Sequence, residues 1–346
     1  MYKKITALLL VAVLVLAGCA GQEKLTAKET LVKVMTKSTE IENIGADMNI
    51  VMNMSFDEEK MDENAQAVAM LDMFKNIEMA LKFDAQNVKS DAKVSFDGSL
   101  NLNGMAFMVD GYLDKEMAAV NYPMMGKYIT ANFKELIALA NEQGDVELDE
   151  NLIENVIADY NTVFIPKLLK FYTDSLTDDD VKFEEDYKFT VDGEEKTAKA
   201  LVFTIAPERM TEISKDLYKK LAEDEEIYNA LKKYNIPEFP ADFETYKSEL
   251  NEITKDLEDE DAKEKFEDVF KSFNYDIAMS YDDQYRTQYM KATMSAKIDT
   301  EDEEMGEMSY EYKIDGAYRY DDIKAVKPEL TEENSMDILT LLQGGM

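Results

Sequence analysis

The most specific chemistry in this chain belongs to Cys19, its single cysteine. The residues before it read Leu16-Ala17-Gly18. Small residues directly before a cysteine are what lipoprotein signal peptidase accepts, so this tetrapeptide has the form of a lipobox. We expect the Cys19 thiol to receive a diacylglyceryl group and to become the mature N-terminus. An ordinary secretory signal with an incidental cysteine is the alternative.

The leader before the lipobox supports the first interpretation. Lys3 and Lys4 form a basic start, and residues 5–16 form an apolar run. A membrane-spanning helix needs about 20 apolar residues, so this run has the length of a signal peptide instead. We predict a lipoprotein signal peptide over 1–18, a lipidated tether over 19–25, and a protein anchored to the outer face of the cell membrane.

The overall composition excludes several classes of function. The chain has no histidine and a net charge of −35, with 38 Lys and Arg against 73 Asp and Glu. Histidine-dependent triads and His-ligated metal sites are therefore ruled out. Phosphate contacts need clustered Lys and Arg, so no nucleic-acid partner is expected. The low cysteine content, the lack of tryptophan and the excess of Lys over Arg favour a Gram-positive host.

Carboxylates are abundant, but their spacing carries no specific signal. Runs such as 178–180 and 223–226 lack the spacing of a calcium loop. An acidic, solvated surface is the simplest interpretation, and loose cation binding is the alternative. With 73 acids, some pair at catalytic distance is inevitable, so such a pair is uninformative. We predict no enzyme activity, no cofactor and no metal.

Methionine is the second residue type whose positions suggest a function. The chain has 22 of them, many at alternating positions of strand-like segments. Flexible thioethers suit surfaces that fit irregular or varied ligands. The alternatives are ordinary core filling and, more remotely, copper(I) ligation. The expected ligand-facing residues are Met48, Ile50, Met52, Met54, Met79, Leu81, Phe83, Met105, Phe107, Met279, Met290, Met294 and Met308.

The elements that must position these residues follow from the same periodicities. Period-2 patterns predict strands over 46–56, 77–85, 92–96, 100–102, 105–109, 117–122, 183–191, 200–204, 275–281, 286–298 and 308–314. Helical spacing and caps predict helices over 26–42, 133–141, 148–160, 166–172, 207–234, 241–272 and 335–342. Residues 62–75 are predicted as a short helix or a loop.

Turn signals refine the strand boundaries. Asn103-Gly104 predicts a two-residue hairpin, and Asp192-Gly193 predicts another. Asp97-Gly98 and Asp110-Gly111 lie too close to the first turn and are predicted as bulges that curve the strands. Asp315-Gly316 is predicted to end the last long strand. Pro166 is predicted to open a helix rather than interrupt one.

These elements predict an α+β fold in which a curved antiparallel sheet, a half-barrel, has helices covering its concave face. The space between sheet and helices would be an apolar groove. We assign 26–343 to a single domain. A faint echo between Ala119–Pro123 and Ala325–Pro328, each followed by a short helix, raises the alternative of two pseudo-repeats, 26–142 and 151–343.

This plan of lipobox, capping helix, alternating strands and covering helices resembles the LolA/LppX-like superfamily of envelope lipoproteins. The hairpin over 187–205, followed by Pro207-Glu208, is similar to hairpins in uncharacterised lipoproteins of Gram-positive anaerobes. The resemblance covers most of 26–343 and rests on architecture, not on a diagnostic motif. It implies a half-barrel and a lipophilic ligand, and no functional residue of the family carries over.

Two functions from different classes follow from the sequence. The first is a membrane-anchored lipoprotein that binds or carries a lipid or other apolar ligand in the Met-rich groove. The second is a non-catalytic interaction or sensor lipoprotein whose sheet is fully packed. The sequence indicates the membrane as a partner through the diacylglyceryl anchor, and it identifies no protein partner.

Overall fold

A computed structural model describes residues 25–56, 72, 75–143, 148–149, 151–191, 194–234, 236, 239–258, 270–299 and 307–344. No helix within these ranges is long and apolar enough to cross a membrane. The lipobox with Cys19, almost all of 62–75 and the Asp192-Gly193 turn lie outside the described residues.

One open sheet of twelve strands organises the molecule. Its spatial order is β12-β6-β5-β4-β3-β2-β1-β11-β10-β9-β8-β7, with all described pairs antiparallel except β12 with β6. The strands are β1 (Ile44–Phe56), β2 (Asn76–Gln86), β3 (Lys93–Leu102), β4 (Met105–Leu113), β5 (Met117–Tyr122), β6 (Lys127–Asn132), β7 (Lys182–Val191), β8 (Glu194–Ile205), β9 (Phe270–Tyr281), β10 (Thr287–Asp299), β11 (Glu307–Arg319) and β12 (Ser335–Asp337).

Helices flank and interrupt the strands, which confirms the predicted α+β class. They are α1 (Ala27–Ser38), α2 (Phe133–Gln143), α3 (Leu152–Asp159), α4 (Ile165–Ser175), α5 (Pro207–Glu223), α6 (Glu225–Lys232), α7 (Phe243–Asp256) and α8 (Ile338–Gly344). Helix α1 packs on β7 and α4, whereas α2 and α8 pack on β6 beside β12. The helices thus contact the two ends of the sheet.

The predicted start of α1 is confirmed in detail. The Thr26 hydroxyl accepts a hydrogen bond from the Glu29 amide, and the Glu29 carboxylate accepts one from the Thr26 amide. This capping box satisfies two amides that the first helical turn leaves without partners. The helix ends at Ser38, four residues before the predicted end at 42.

A hydrophobic core lies between α1, α4 and α5 and the strands β8 and β9. Its buried members are Leu31, Val34, Leu176, Val181, Leu201, Phe203, Ile205 and Ile213. The β8 members occupy alternate positions, so they project from one face of the sheet. This core fixes the helical layer on the β7–β9 end.

A C-terminal strap, residues 320–334, connects β11 to β12 across the sheet. The Val326 amide donates to the Ser95 hydroxyl at 3.1 Å, and the Tyr128 amide donates to the Asn334 carbonyl at 2.8 Å. Ile323 is buried near Gly45. The strap therefore crosses the end of the sheet at which β1 and β3 begin, here called the strap end. It leads to β12, which pairs with β6.

The predicted bulges at Gly98 and Gly111 are wrong. The described ladders of β3 with β2 and β4 run through both glycines without a register shift. Gly111 has a packing role instead, because a Cβ there would lie 2.5 Å from the Phe96 ring. The glycine lets an aromatic ring of the neighbouring strand lie against the backbone.

The predicted end of the last long strand at Gly316 is also wrong. Strand β11 continues to Arg319, and Gly316 pairs with Met48 on one side and Met290 on the other. A real register shift occurs elsewhere, between Glu184 and Tyr187 of β7. Strands β6 and β12 were not predicted, and the separate segments 92–96 and 100–102 form the single strand β3.

Three helix predictions require correction. Helix α3 passes into α4 through a π-helical turn, Tyr160–Phe164, so Pro166 lies in a continuous helical run. The π turn accommodates a proline that lacks an amide donor. The predicted helix 207–234 is divided at Asp224, which caps α6. The predicted helix 241–272 ends at Asp256, and 270–272 belong to β9.

Candidate functional site

The thirteen expected ligand-facing side chains all project from one face of the sheet, here called the apolar face. The described registers link them in rows across neighbouring strands, because paired residues project to the same side. One row is Leu81, Met48, Gly316, Met290 and Met279, read from β2 to β9. The other expected residues lie in the same rows or in parallel ones: Ile50, Met52, Met54, Met79, Phe83, Met105, Phe107, Met294 and Met308.

The apolar face divides into two parts with different exposure. Over β8 and β9 it is buried under α1, α4 and α5, with Leu201 at 0% exposure. We call this the packed part, and Met279 contacts its core. Over β1–β4, β10 and β11, the side chains of the thirteen are half-buried, except Met105, which is exposed. We call this region the open part.

Methionines are concentrated in the open part and missing from the packed core. None of the buried hydrophobic residues in the described ranges is a methionine. Methionine has three rotatable bonds and a polarisable sulfur, so it adapts to irregular neighbours. Apart from the exposed Met105, the methionines of the open part are therefore half-buried side chains that lie outside the packed core.

Aromatic side chains extend the open part along β11. The Tyr310 and Tyr312 rings lie with their centroids 6.5 Å apart and 10° between their planes. Both pair with methionines of β1, Met54 and Met52. Burial raises the pKa of Tyr310, so its hydroxyl stays protonated in the physiological range. The open part thus combines thioethers with aromatic rings.

The opposite face of the same strands is polar. Asparagines pair with carboxylates directly across the strands: Asn49 with Asp315, Asn53 with Glu311, Asn101 with Glu78, and Asn121 with Asp110. Tyr128 also donates to Asp110, and this hydrogen bond raises the pKa of Tyr128 to about 12. The alternation predicted from the sequence therefore separates an apolar face from a hydrogen-bonded polar face.

No protein family and no curated protein matches this chain.

A small aromatic stack on the polar face was not predicted. The Phe189 and Tyr289 centroids lie 4.5 Å apart, although β7 and β10 are separated by two strands. The register shift in β7 places Tyr187 and Phe189 on the face opposite Phe183. Burial raises the pKa of Tyr289 to about 12. The register shift thus brings two aromatic rings into contact across two strands on the polar face.

One acid in each of the runs 178–180 and 223–226 has a structural partner. Asp180 pairs with Arg209 at 2.9 Å, and Asp224 pairs with Lys167 at 2.7 Å while it caps α6. Although burial alone would raise it, hydrogen bonds from Arg209 and Thr177 hold the pKa of Asp180 below its usual range. Within the described ranges, no group of three or more potential acidic or thiol ligands could hold a metal ion.

Proposed function

We propose that this protein is a lipid-anchored, extracytoplasmic lipoprotein that binds or carries a lipophilic molecule on the open part of its apolar face. The observation that carries the proposal is that twelve expected side chains lie on one surface, eleven of them half-buried and Met105 exposed, and that six of them are methionines of β1, β10 and β11. A protein without a ligand for this surface would expose apolar area at a cost in solubility.

In this proposal the sheet curves around the ligand as a half-barrel, with helices over its concave face. The natural twist of a sheet of twelve strands supports curvature of this kind. The side chains of the open part offer dispersion contacts and thioether–aromatic contacts, with few hydrogen-bonding groups. They fit an acyl chain or a similar hydrocarbon better than a polar metabolite.

In this proposal the protein binds its ligand reversibly and without a covalent bond. The described side chains of the open part include no paired nucleophile and base, and burial raises the pKa of Tyr310, which keeps its hydroxyl protonated. Methionine side chains can repack around chains of different length, which suits a carrier that accepts a group of related lipids. The lipobox would keep such a carrier at the membrane from which the ligand comes.

Native mass spectrometry with lipid extraction tests ligand binding directly. The mature chain is purified without detergent, and we expect about one lipid per chain, with several acyl lengths represented. A bare protein mass, with no uptake of envelope lipids or of a fluorescent fatty acid, would overturn the carrier proposal. That result would favour the sensor or interaction lipoprotein, and a protein partner would be sought next.

A matched pair of variants locates the ligand. Met52→Asp places a charge in the middle of the open part, whereas Ser55→Asp places the same charge on the same strand but on the polar face. We expect Met52→Asp to lower lipid occupancy at least tenfold, a change of about 1.4 kcal/mol, and Ser55→Asp to leave it unchanged. Equal occupancy in both variants would place the ligand elsewhere.

The anchor is tested separately with Cys19→Ala. We expect the wild-type chain to carry the added mass of a diacylglyceryl group and to fractionate with membranes. The variant should lose both properties, because a cysteine thiol is needed to accept the lipid. An unmodified Cys19 in the membrane fraction would overturn lipid anchoring without affecting the ligand test.

A further inference from the structure

Three tyrosines lie where the packed part of the apolar face meets the open part. One row of the sheet contains Tyr275 of β9, Met294 of β10 and Tyr312 of β11. Tyr275 packs against the buried core, and so does Tyr172 of helix α4. Tyr312 belongs to the open part, where it pairs with Met52. We call Tyr172, Tyr275 and Tyr312 the tyrosine group.

The members of this group are close to one another. Neighbouring strands lie about 4.8 Å apart, so the Cα atoms of Tyr275 and Tyr312 are about 10 Å apart, with Met294 between them. Burial, the neighbouring Tyr275 and the Asp180 carboxylate together raise the pKa of Tyr172 to about 12, so Tyr172 and Tyr275 are neighbours. The tyrosine group therefore borders one small region of the apolar face.

The hydroxyls of the tyrosine group lack the hydrogen bonds that several other tyrosines make. Those tyrosines donate to carboxylates or backbone carbonyls of the protein: Tyr128, Tyr228, Tyr234 and Tyr320. Among the residues that the structure describes, none forms a hydrogen bond with the hydroxyl of Tyr172, Tyr275 or Tyr312. A tyrosine packed against a core usually has a partner for its hydroxyl. The tyrosine group therefore offers three unused donors beside an apolar surface.

Charge favours an uncharged acceptor for these donors. Burial raises the pKa of Tyr275 as well as that of Tyr172, so both hydroxyls stay neutral at physiological pH. The charged side chain that acts on Tyr172 is the Asp180 carboxylate, which is already paired with Arg209. In a chain of net charge −35, an anionic group beside Asp180 would be repelled. A carbonyl oxygen accepts hydrogen bonds without carrying such a charge.

We infer that the ligand of the open part is an amphiphile with an uncharged acyl ester, and that the tyrosine group binds its carbonyl oxygen. This inference rests on the proposed function and adds the chemical class of the ligand's head. The hydrocarbon chain would lie on the methionines of β1, β10 and β11. A few polar groups at the border of an apolar site fix the orientation of a ligand and select it.

Three probes with the same hydrocarbon chain test this selection: hexadecane, hexadecanoic acid and glycerol monohexadecanoate. Their dissociation constants for the mature chain, purified without detergent, are measured by displacement of a fluorescent lipid. We expect the ester to bind roughly tenfold more tightly than either other probe. Tyr275→Phe and Tyr312→Phe should each weaken ester binding about fivefold and leave hexadecane binding unchanged, because each removes one hydroxyl and keeps the ring.

Tyr318→Phe is the matched control. Tyr318 projects from the same face of β11 as Tyr312, but it pairs with Ala46 near the strap end. Burial raises its pKa too, and its hydroxyl forms no hydrogen bond with any described residue. We expect Tyr318→Phe to leave the affinity for the ester unchanged. A loss as large as that of Tyr312→Phe would place the ester elsewhere and overturn the inference.

The wild-type chain gives a second measurement that needs no variant. The infrared stretch of an isotope-labelled ester carbonyl should move to lower frequency on binding, because hydroxyl donors weaken the carbonyl bond. An unshifted carbonyl, equal affinity for ester and hexadecane, or tighter binding of the acid would each overturn the inference while the proposed function stands. Failure of all three probes to bind would instead overturn the proposed function. Circular dichroism checks that each variant is folded.

Discussion

The packed part and the open part belong to the same face of the same sheet, yet they are built from different side chains. Leucine, valine, isoleucine and phenylalanine form the buried core against α1, α4 and α5. The open part is dominated by methionine, with tyrosine along β11. Branched and aromatic side chains pack into one arrangement, whereas methionine tolerates several.

A single apolar face can thus both pack against helices and remain available to a ligand. In the packed part, burial fixes the helices and supplies stability. In the open part, side chains keep some exposure and can rearrange around a guest. Variants that affect the two parts differently test whether this division is real.

The largest effect is expected from Leu201→Ala in the packed part, compared with Leu81→Ala in the open part. Leu201 is completely buried, so its truncation should lower the free energy of unfolding by about 3 kcal/mol. Leu81 is half-buried, and its truncation should cost about 1 kcal/mol. Urea unfolding measures both, and equal losses would show that the open part is packed like a core.

The next largest effect concerns the ion pair that holds α4 to α5 in the packed part. Arg209 contacts Asp180 at 2.9 Å and donates to the Ser175 carbonyl at 2.5 Å. Arg209→Ala should cost about 2 kcal/mol, because it leaves the largely buried Asp180 carboxylate with its Thr177 hydrogen bonds but no counter-charge, and the Ser175 carbonyl without this donor. Lys188→Ala breaks an exposed pair with Glu195 and should cost less than about 1 kcal/mol.

A smaller effect is expected from acid on the same pair. The pKa of folded Asp180 lies below its usual range, so the pair stabilises the protein above the ordinary aspartate pKa of about 3.9. This contribution is lost as the pH falls toward the folded pKa. The stability difference between wild type and Arg209→Ala should therefore shrink between pH 5 and pH 3, about the range in which aspartates protonate. A constant difference in urea unfolding would contradict this.

The smallest effects come from exchanging the two side-chain types. Leu201→Met should lower the free energy of unfolding by about 1 kcal/mol, because the closely packed core fits the shape of leucine better than that of methionine. Met52→Leu should change the free energy of unfolding by less than about 0.5 kcal/mol, since the open part is not closely packed. A larger cost for Met52→Leu than for Leu201→Met would reverse the assignment of the two parts.

The face of the sheet that each side chain occupies could be predicted from sequence because alternation is a local property. Within one strand, Met48, Met52 and Met54 share a face whatever the neighbouring strands are. The Asn103-Gly104 turn could also be predicted, because its signal lies in two neighbouring residues. Positive φ at both residues confirms it. Thus the membership of the apolar face needed no knowledge of the sheet order.

Features that depend on distant contacts could not be predicted. The sequence around Gly111 predicts a bulge, and only the structure shows that the glycine makes room for the Phe96 ring. The β7 shift at Glu184 and Tyr187 leaves the apolar spacing of the strand even, so the sequence gives no sign that Tyr187 and Phe183 face opposite sides. The position of the helices on the sheet likewise depends on tertiary contacts of α1, α4 and α5. The spacing of apolar residues in the sequence does not reveal such contacts.

The pairing of β1 with β11 has a consequence for how this chain folds. Met48 finds its partner Gly316 only after 268 further residues, and β12 reaches β6 later still. Contacts so distant in sequence make folding slow. Until β11 arrives, β1 is an uncovered edge with an alternating run of methionines, the kind of strand that pairs with other chains. We therefore expect the β1–β11 pairing, which joins the two halves of the sheet, to form late in folding.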